Sequence, residues 1–349
     1  MIAFHTAAYL DHLKKKTVRE FDYEQAMRTG DWQRWQRDFR KRLKELLGLT
    51  FMEAAAGWRE TGESRLVEKK QCDGYTMEKR YLATEPGIEI PFYLLLPAVG
   101  NQPFPVVLTP HGHNRRGKEV YTGNYETEAE AMEALEGERD IALQAVREGY
   151  AVIAPDVRGF WEMSRIEELT NGQGSSCDEL QRMAMMYGRT LIGERVHDIG
   201  KLIDYAESRP ELDSSKIVIT GNSGGGTVSL FAAAIDERIR IAMPGSYFCT
   251  FFDSVVSLHH CACNIVPGIM QIAEMYDIAG LIAPRPFLAI NGVRDPIFPF
   301  EAAQEAFAHV KRIYTAMGHQ DRCELYAGQG EHRYYKERAW SFVKEHLKR

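Results

Sequence analysis

The sequence predicts an α/β protein, a mostly parallel central sheet with helices on both faces, preceded by an N-terminal helical extension. Three observations predict it. From about residue 104 onward, short apolar runs rich in β-branched residues alternate with amphipathic stretches of helical period. One such run, "KIVIT", enters a helix-forming stretch through Gly221-Asn222-Ser223-Gly224-Gly225, a sharp strand-to-helix turn. The 349 residues are 44% hydrophobic and 26% charged, enough apolar material for a full core in a chain of ordinary polarity.

The elements follow in order. Residues 1–60 form the helical extension, in which "WQRWQRDFRKRLKELLGL" carries apolar residues at three-to-four spacing and stops at Gly48. Residues 61–349 form one α/β unit. It opens with extended segments, "YTMEKRYLAT" and "IEIPFYLLLPA". The strand "PVVLTP", the helix "ERDIALQAVREG" and the strand "YAVIAPDV" come next, then the helix "HDIGKLIDYAESR" and the strand "KIVITG". After the helix that opens at Ser223 come the strands "IRIAMPGS" and "PRPFLAING", the helix "FEAAQEAFAHVKRIYTAMG", the strand "CELYAG" and the helix "ERAWSFVKEHL".

Composition excludes several classes of partner. A net charge of -6 and the lack of a dense basic patch argue against nucleic acid and anionic membranes. The N-terminus has no leader pattern, and no apolar run reaches the length of a membrane span. The cysteines at 72, 177, 249, 261, 263 and 323 do not form a dense disulfide framework. A soluble cytoplasmic chain is expected, with a small-molecule substrate and room for a homo-oligomer.

Ser223 is the candidate nucleophile, because the turn G-x-S-x-G exposes a serine hydroxyl at a helix N-terminus. A serine needs a base, and the base an orienting acid. Asp295, in "NGVRDPIFP", and His332, in "QGEHRYY", each follow a strand and come in the order Ser, acid, His. Asp253 competes as the acid; His319 reads as a helix-end residue and Glu331 as a solvated or structural charge. Two backbone amides should bind an oxyanion: that of Gly224, after the nucleophile, and that of His113, in the loop "HGHN" after "PVVLTP". "HHCACN", His259–Asn264, invites a metal, yet adjacent side chains do not readily converge on one tetrahedral ion, so no metal is expected there. Arg158, in "DVRG", reads as an internal ion pair.

These stretches, with "GERVHDIGKLIDYAESRPELDSSKI", "SLHHCACNIVPGI" and "EMYDIAGLIAPRPFLAINGVRDPIFP", resemble the acetyl xylan esterase-like, dienelactone-hydrolase-related branch of the α/β-hydrolases over nearly all of residues 65–349. The resemblance implies an α/β-hydrolase fold, a Ser223-Asp295-His332 triad, an oxyanion hole at His113 and Gly224, and no cofactor. It implies a serine esterase for short acyl groups, acetyl foremost, carried on carbohydrate. The chain departs from the better-known acetyl xylan esterase and cephalosporin-C deacetylase group in two places. Phe160 stands where that group has Gln after Arg-Gly, and Gly224 where it has Gln after the serine. Two insertions, residues 160–190 and 247–277, mix aromatic with polar residues beyond strand ends, so Trp161 and His260 are the expected substrate contacts. A prolyl-oligopeptidase-like peptidase and a non-catalytic binding protein are the alternatives. No propeller-like repeat precedes the hydrolase region, and no triad member is missing.

Overall fold

Side chains on a strand point alternately to opposite faces, so a run that is apolar at every position must be covered twice. A computed structural model describes residues 5–54, 63–171 and 174–347. In it, β4 (Phe104–Leu108), β5 (Ala151–Pro155), β7 (Ile239–Gly245), β8 (Phe287–Gly292) and the second half of β6 (Leu212–Asn222) are largely covered in this way, whereas the edge strand β9 (Cys323–Gly328) is half-buried along its middle. Val106, Leu108, Ile217, Ile219, Phe287 and Ala289 enter the larger core. Val107, Val218, Leu288 and Ile290 enter the smaller one, on the opposite face. The larger core is closed by the helices Trp32–Leu47, Leu191–Glu207, Gly224–Ile235 and Phe300–Ala316, the smaller by Ile141–Arg147 and Lys336–Leu347.

The sheet has nine strands in the order β1-β2-β3-β5-β4-β6-β7-β8-β9. Here β1 (Ser64–Cys72), β2 (Tyr75–Glu85) and β3 (Ile88–Pro97) form an antiparallel meander that joins β5 antiparallel. Every pairing from β5 through β9 is parallel. From β4 the chain crosses to β5 on one side, then returns to place β6 on the other. That reversal opens a crevice at the strands' carboxyl ends, where ligands of open α/β sheets bind.

The expected strands and helices are present, with two differences. β1 is a ninth strand within "SRLVEKKQC"; it lies on the sheet edge, exposed along nearly its whole length, and so has no apolar face to announce it. The helix expected from His197 begins earlier, at Leu191, where the Thr190 hydroxyl caps the chain by accepting the Gly193 N–H at 3.0 Å. Arg158 is an internal ion-pair residue, as expected. Its guanidinium donates in bidentate fashion to Asp198 at 2.7 and 2.8 Å and also meets Glu85.

The boundary expected at 60/61 lies outside the described residues. The helix before it is tied to the rest of the molecule. The Asp31 carboxylate accepts the Arg34 N–H at its start, and Gly48 at φ 82° ends it, as its left-handed conformation requires. Trp35, Phe39, Leu43 and Leu47, at three-to-four spacing, are buried in the larger core. Among the described residues, no helix is long and apolar enough to cross a membrane.

Because Phe39 is fully buried, Phe39→Ala should lower unfolding stability by roughly 3–5 kcal/mol in a denaturant titration. A loss below about 1 kcal/mol would mean that the N-terminal helix is only loosely attached.

Candidate active site

Ser223 sits between the end of β6 and the helix Gly224–Ile235 with φ 56° and ψ -117°. That conformation costs a non-glycine residue about 1–3 kcal/mol, so the surroundings must enforce it. The Ser223 N–H donates to Gly245 O of the neighbouring strand at 2.8 Å, and the Asn222 N–H donates to the Tyr121 hydroxyl at 3.0 Å. Tyr121 is wholly buried, and burial pushes its phenol up to about 12, so it stays neutral. Gly224 is the first residue of the helix, so its N–H has no partner within the helix and points out of the helix start.

The loop after β4 presses directly on this turn. A Cβ on Gly112 would lie 2.3 Å from Asn222 O, so only glycine lets the loop approach this closely. Behind it, His111 is buried; its Nε2 accepts the Val157 N–H at 3.1 Å, which leaves the ring proton on Nδ1 to donate to Gly112 O at 2.8 Å. Beneath the loop, buried Asp156 accepts both the Lys118 N–H at 2.9 Å and the Lys118 ammonium at 2.7 Å. Burial disfavours that ammonium, but Asp156, Glu162 and Glu119 outweigh it and raise the pKa above the ordinary lysine value. The carboxyl of Asp156 is opposed by burial in the same way, yet Lys118 holds its pKa below the usual range.

Asp295 and His332 come from the loops after β8 and β9. Those loops are joined by backbone bonds, Val293 N–H to Gly328 O and Arg294 N–H to Gly330 O, both 2.9 Å. Asp295 Oδ1 accepts the N–H groups of Ile297 and Phe298 at 2.9 and 3.0 Å, which fixes the carboxylate. Its Oδ2 lies 2.7 Å from His332 Nδ1, and the Phe298 ring stacks on the imidazole. The Asp295 side chain is fully buried, whereas His332 keeps 20% of its surface exposed. Ser223, Gly224, His113 and His332 all line one pocket of about 250 Å³. A serine at a helix start, sharing a pocket with a carboxylate-bound imidazole, is the arrangement acyl transfer uses.

A family model described as "Abhydrolase family" matches residues 4–341. The chain belongs to this family. The curated abhydrolase relative "Putative hydrolase YtaP" of Bacillus subtilis (strain 168) is 26% identical over 242 residues, which cover 66% of this chain and 74% of that protein. Among solved structures, a "putative acetyl xylan esterase" of Bacteroides fragilis NCTC 9343 superposes with a TM-score of 0.75 at 17% identity, covering 93% of this chain and 83% of the other. An acetyl xylan esterase from Paenibacillus sp. R4 gives a TM-score of 0.60 at 18% identity, covering 87% and 95%. These likenesses establish the α/β-hydrolase fold.

The abhydrolase pocket also brings in residues to which the sequence assigned no part in the site: Tyr121, Arg139, Asn222, Asn264 and Phe298. Asn222 stood next to the candidate serine in sequence; its buried Oδ1 has no partner among the described residues. Of the two expected substrate contacts, His260 lines the pocket and its Nε2 lies 2.9 Å from Ser254 Oγ. Burial, then the neighbouring His332, His259 and His113, lower its pKa and favour the neutral ring. Trp161 does not line that pocket; the Arg116 guanidinium lies over its ring, 5.4 Å from the centroid. The Asp253 carboxylate accepts the Thr250 hydroxyl at 2.6 Å, on a different loop from the His332 pair. His319 lies at a helix end, where its N–H donates to Tyr314 O.

The segment "HHCACN" behaves differently from its reading as an isolated stretch. Cys261 and Cys263 turn inward and meet Cys177, from the first insertion, and His113, from the loop after β4. The four ligand atoms lie within 4.8 Å of one another. His113 and Cys177 stand far away in sequence, so the spacing of the segment gave no sign of them.

The two aspartates can be separated by reactivity. A fluorophosphonate probe should label Ser223, and Asp295→Asn should slow labelling by roughly 10³-fold or more by leaving the base in the wrong tautomer. Asp253→Asn should label at close to the native rate; the reverse order, read by peptide mass spectrometry, would exclude Asp295 as the acid.

Proposed function

We propose that this abhydrolase is a serine carboxylic ester hydrolase that removes short acyl groups, acetyl foremost, from a saccharide or a similar polar alcohol. The observation that carries this reading is the hydrogen-bonded His332–Asp295 pair in the same pocket as the strained Ser223. His332 Nε2 takes the proton of Ser223 Oγ as that oxygen attacks the ester carbonyl. Asp295 keeps the Nδ1–H tautomer and stabilises the imidazolium. The N–H groups of Gly224 and His113 bind the tetrahedral oxyanion, worth roughly 3–4 kcal/mol per donor in comparable sites. As the intermediate collapses, the alcohol leaves with the proton from His332. Water activated by the same imidazole then releases the acid and restores Ser223.

Support for a small substrate comes from the modest pocket of about 250 Å³ that Ser223 and His332 share. Support for a polar alcohol comes from Asn114, Arg139, Asn222, His259, His260 and Asn264 on its walls. Structural neighbours named as acetyl xylan esterases, a methylesterase and glucuronoyl esterases favour carbohydrate esters.

A panel of p-nitrophenyl esters with acetylated saccharides checks both claims. kcat/KM should be highest for acetyl and fall steadily toward octanoyl, acetate should be released from at least one acetylated sugar, and Ser223→Ala should lose roughly 10⁴-fold or more in kcat. A rise toward octanoyl, or cleavage of peptide amides with sugars untouched, would contradict the proposal.

A further inference from the structure

Arg195 raises a question that the esterase chemistry does not answer. It is almost fully buried, and no carboxylate pairs with it among the described residues. Its guanidinium donates to Arg158 O at 3.0 and 2.6 Å and lies 3.3 Å from Cys177 Sγ. A buried charge needs a counter-charge. Among the described residues, the candidates against it are sulfur atoms: Cys177 and, close by, Cys263 and Cys261.

All six cysteines are free thiols. Three of them, with His113, form a cluster whose ligand atoms are mutually within 4.8 Å, and His113 Nε2 is already 3.5 Å from Cys263 Sγ. Around a tetrahedral zinc, with sulfur at about 2.3 Å and nitrogen at about 2.0 Å, ligand atoms lie roughly 3.5–3.8 Å apart. The donor atoms are therefore within about an ångström of that spacing before any metal draws them together. Three sulfurs and one imidazole are also the donor set that zinc prefers over magnesium or calcium.

We propose that His113, Cys177, Cys261 and Cys263 bind one structural zinc ion. Charge supports the assignment. Three thiolates and Zn²⁺ carry a net charge of -1, which the Arg195 guanidinium neutralises. Four protein ligands leave no open position for a catalytic water, so the ion is structural and acts on the serine site only through the loop it holds. Cys177 and Cys263 are buried, whereas Cys261 is half-buried and His113 exposed, so the site keeps a path for the metal to enter.

The ligands come from three separate segments. Cys177 opens the helix Cys177–Met186 of the first insertion, Cys261 precedes and Cys263 sits within the short turn Ala262–Asn264 of the second, and His113 lies in the loop against the elbow. The ion would pin the first insertion and the second, which lines the pocket through His259, His260, Cys261 and Asn264, to the loop that carries His113. The site stands independently of the esterase proposal; only its effect on rate rests on that reading.

The test starts with metal, without substrate. Protein expressed with zinc in the medium and purified with reductant but no chelator should retain one equivalent of zinc per chain. X-ray absorption should give three sulfur neighbours at about 2.3 Å and one nitrogen at about 2.0 Å. The double variant Cys177→Ser/Cys261→Ser should lose the zinc, whereas Cys72→Ser/Cys323→Ser should keep it. Stripped protein should lose roughly 10- to 100-fold in kcat, regained on adding zinc. The proposal is overturned if native protein retains no zinc, if the double variant retains it undiminished, or if freshly lysed protein carries a disulfide among these three cysteines.

Discussion

The carbonyl oxygen of Pro110 occupies the space that a side chain on Gly221 or Gly225 would need, 2.1 Å from a Cβ built on either. Two residues further along the loop, Gly112 meets Asn222 O in the same way. The loop after β4 and the turn after β6 are thus in backbone contact, and this contact is possible only with glycine on both sides. It sets the position of Ser223 relative to the amide of His113, and so the place where a carbonyl carbon and its oxygen could sit between them. The parallel pairing of β4 with β6 delivers the two segments to the same end of the sheet, and the chain reversal at β4 keeps helices out of the space above them.

Holding Ser223 at positive φ costs about 1–3 kcal/mol. The helix that follows more than offsets this. Val228, Leu230 and Phe231 are fully buried in the larger core, and each such side chain contributes roughly 1.5–3 kcal/mol. The strain is held locally by the Ser223 N–H bond to Gly245 O and by Tyr121 beneath Asn222. His332 and Asp295 are positioned by a different device. Two loops bonded to each other carry them, and the Asp295 carboxylate is filled by two backbone donors and one imidazole. Neither loop could shift without breaking the backbone bonds that join them.

How much of this was legible depended on whether a signal was local. The covered strands declared themselves by short apolar runs, and the helix Trp32–Leu47 by its period and by Gly48. The elbow was legible because strand, glycines and helix are contiguous. Asp295 and His332 could be singled out because each follows a strand in a parallel sheet, and the fold brings them within 2.7 Å. β1 was not legible because an exposed edge strand carries no apolar face. Arg139 and Asn264 reach the pocket from segments whose placement depends on tertiary packing. The cysteine cluster was hidden for the same reason: its four donors come from three segments, and only two of them are close in sequence.

The central claim is that Ser223 carries the acyl group between the two halves of the reaction. Rapid acid quench during turnover of an activated acetyl ester, followed by peptide mass spectrometry, tests it most directly. The account predicts an acetyl adduct on the peptide containing Ser223, formed within the first turnover and lost as substrate is consumed. An adduct on another residue, or steady hydrolysis with no covalent acyl-enzyme at any quench time while Ser223→Ala retains activity, would contradict it.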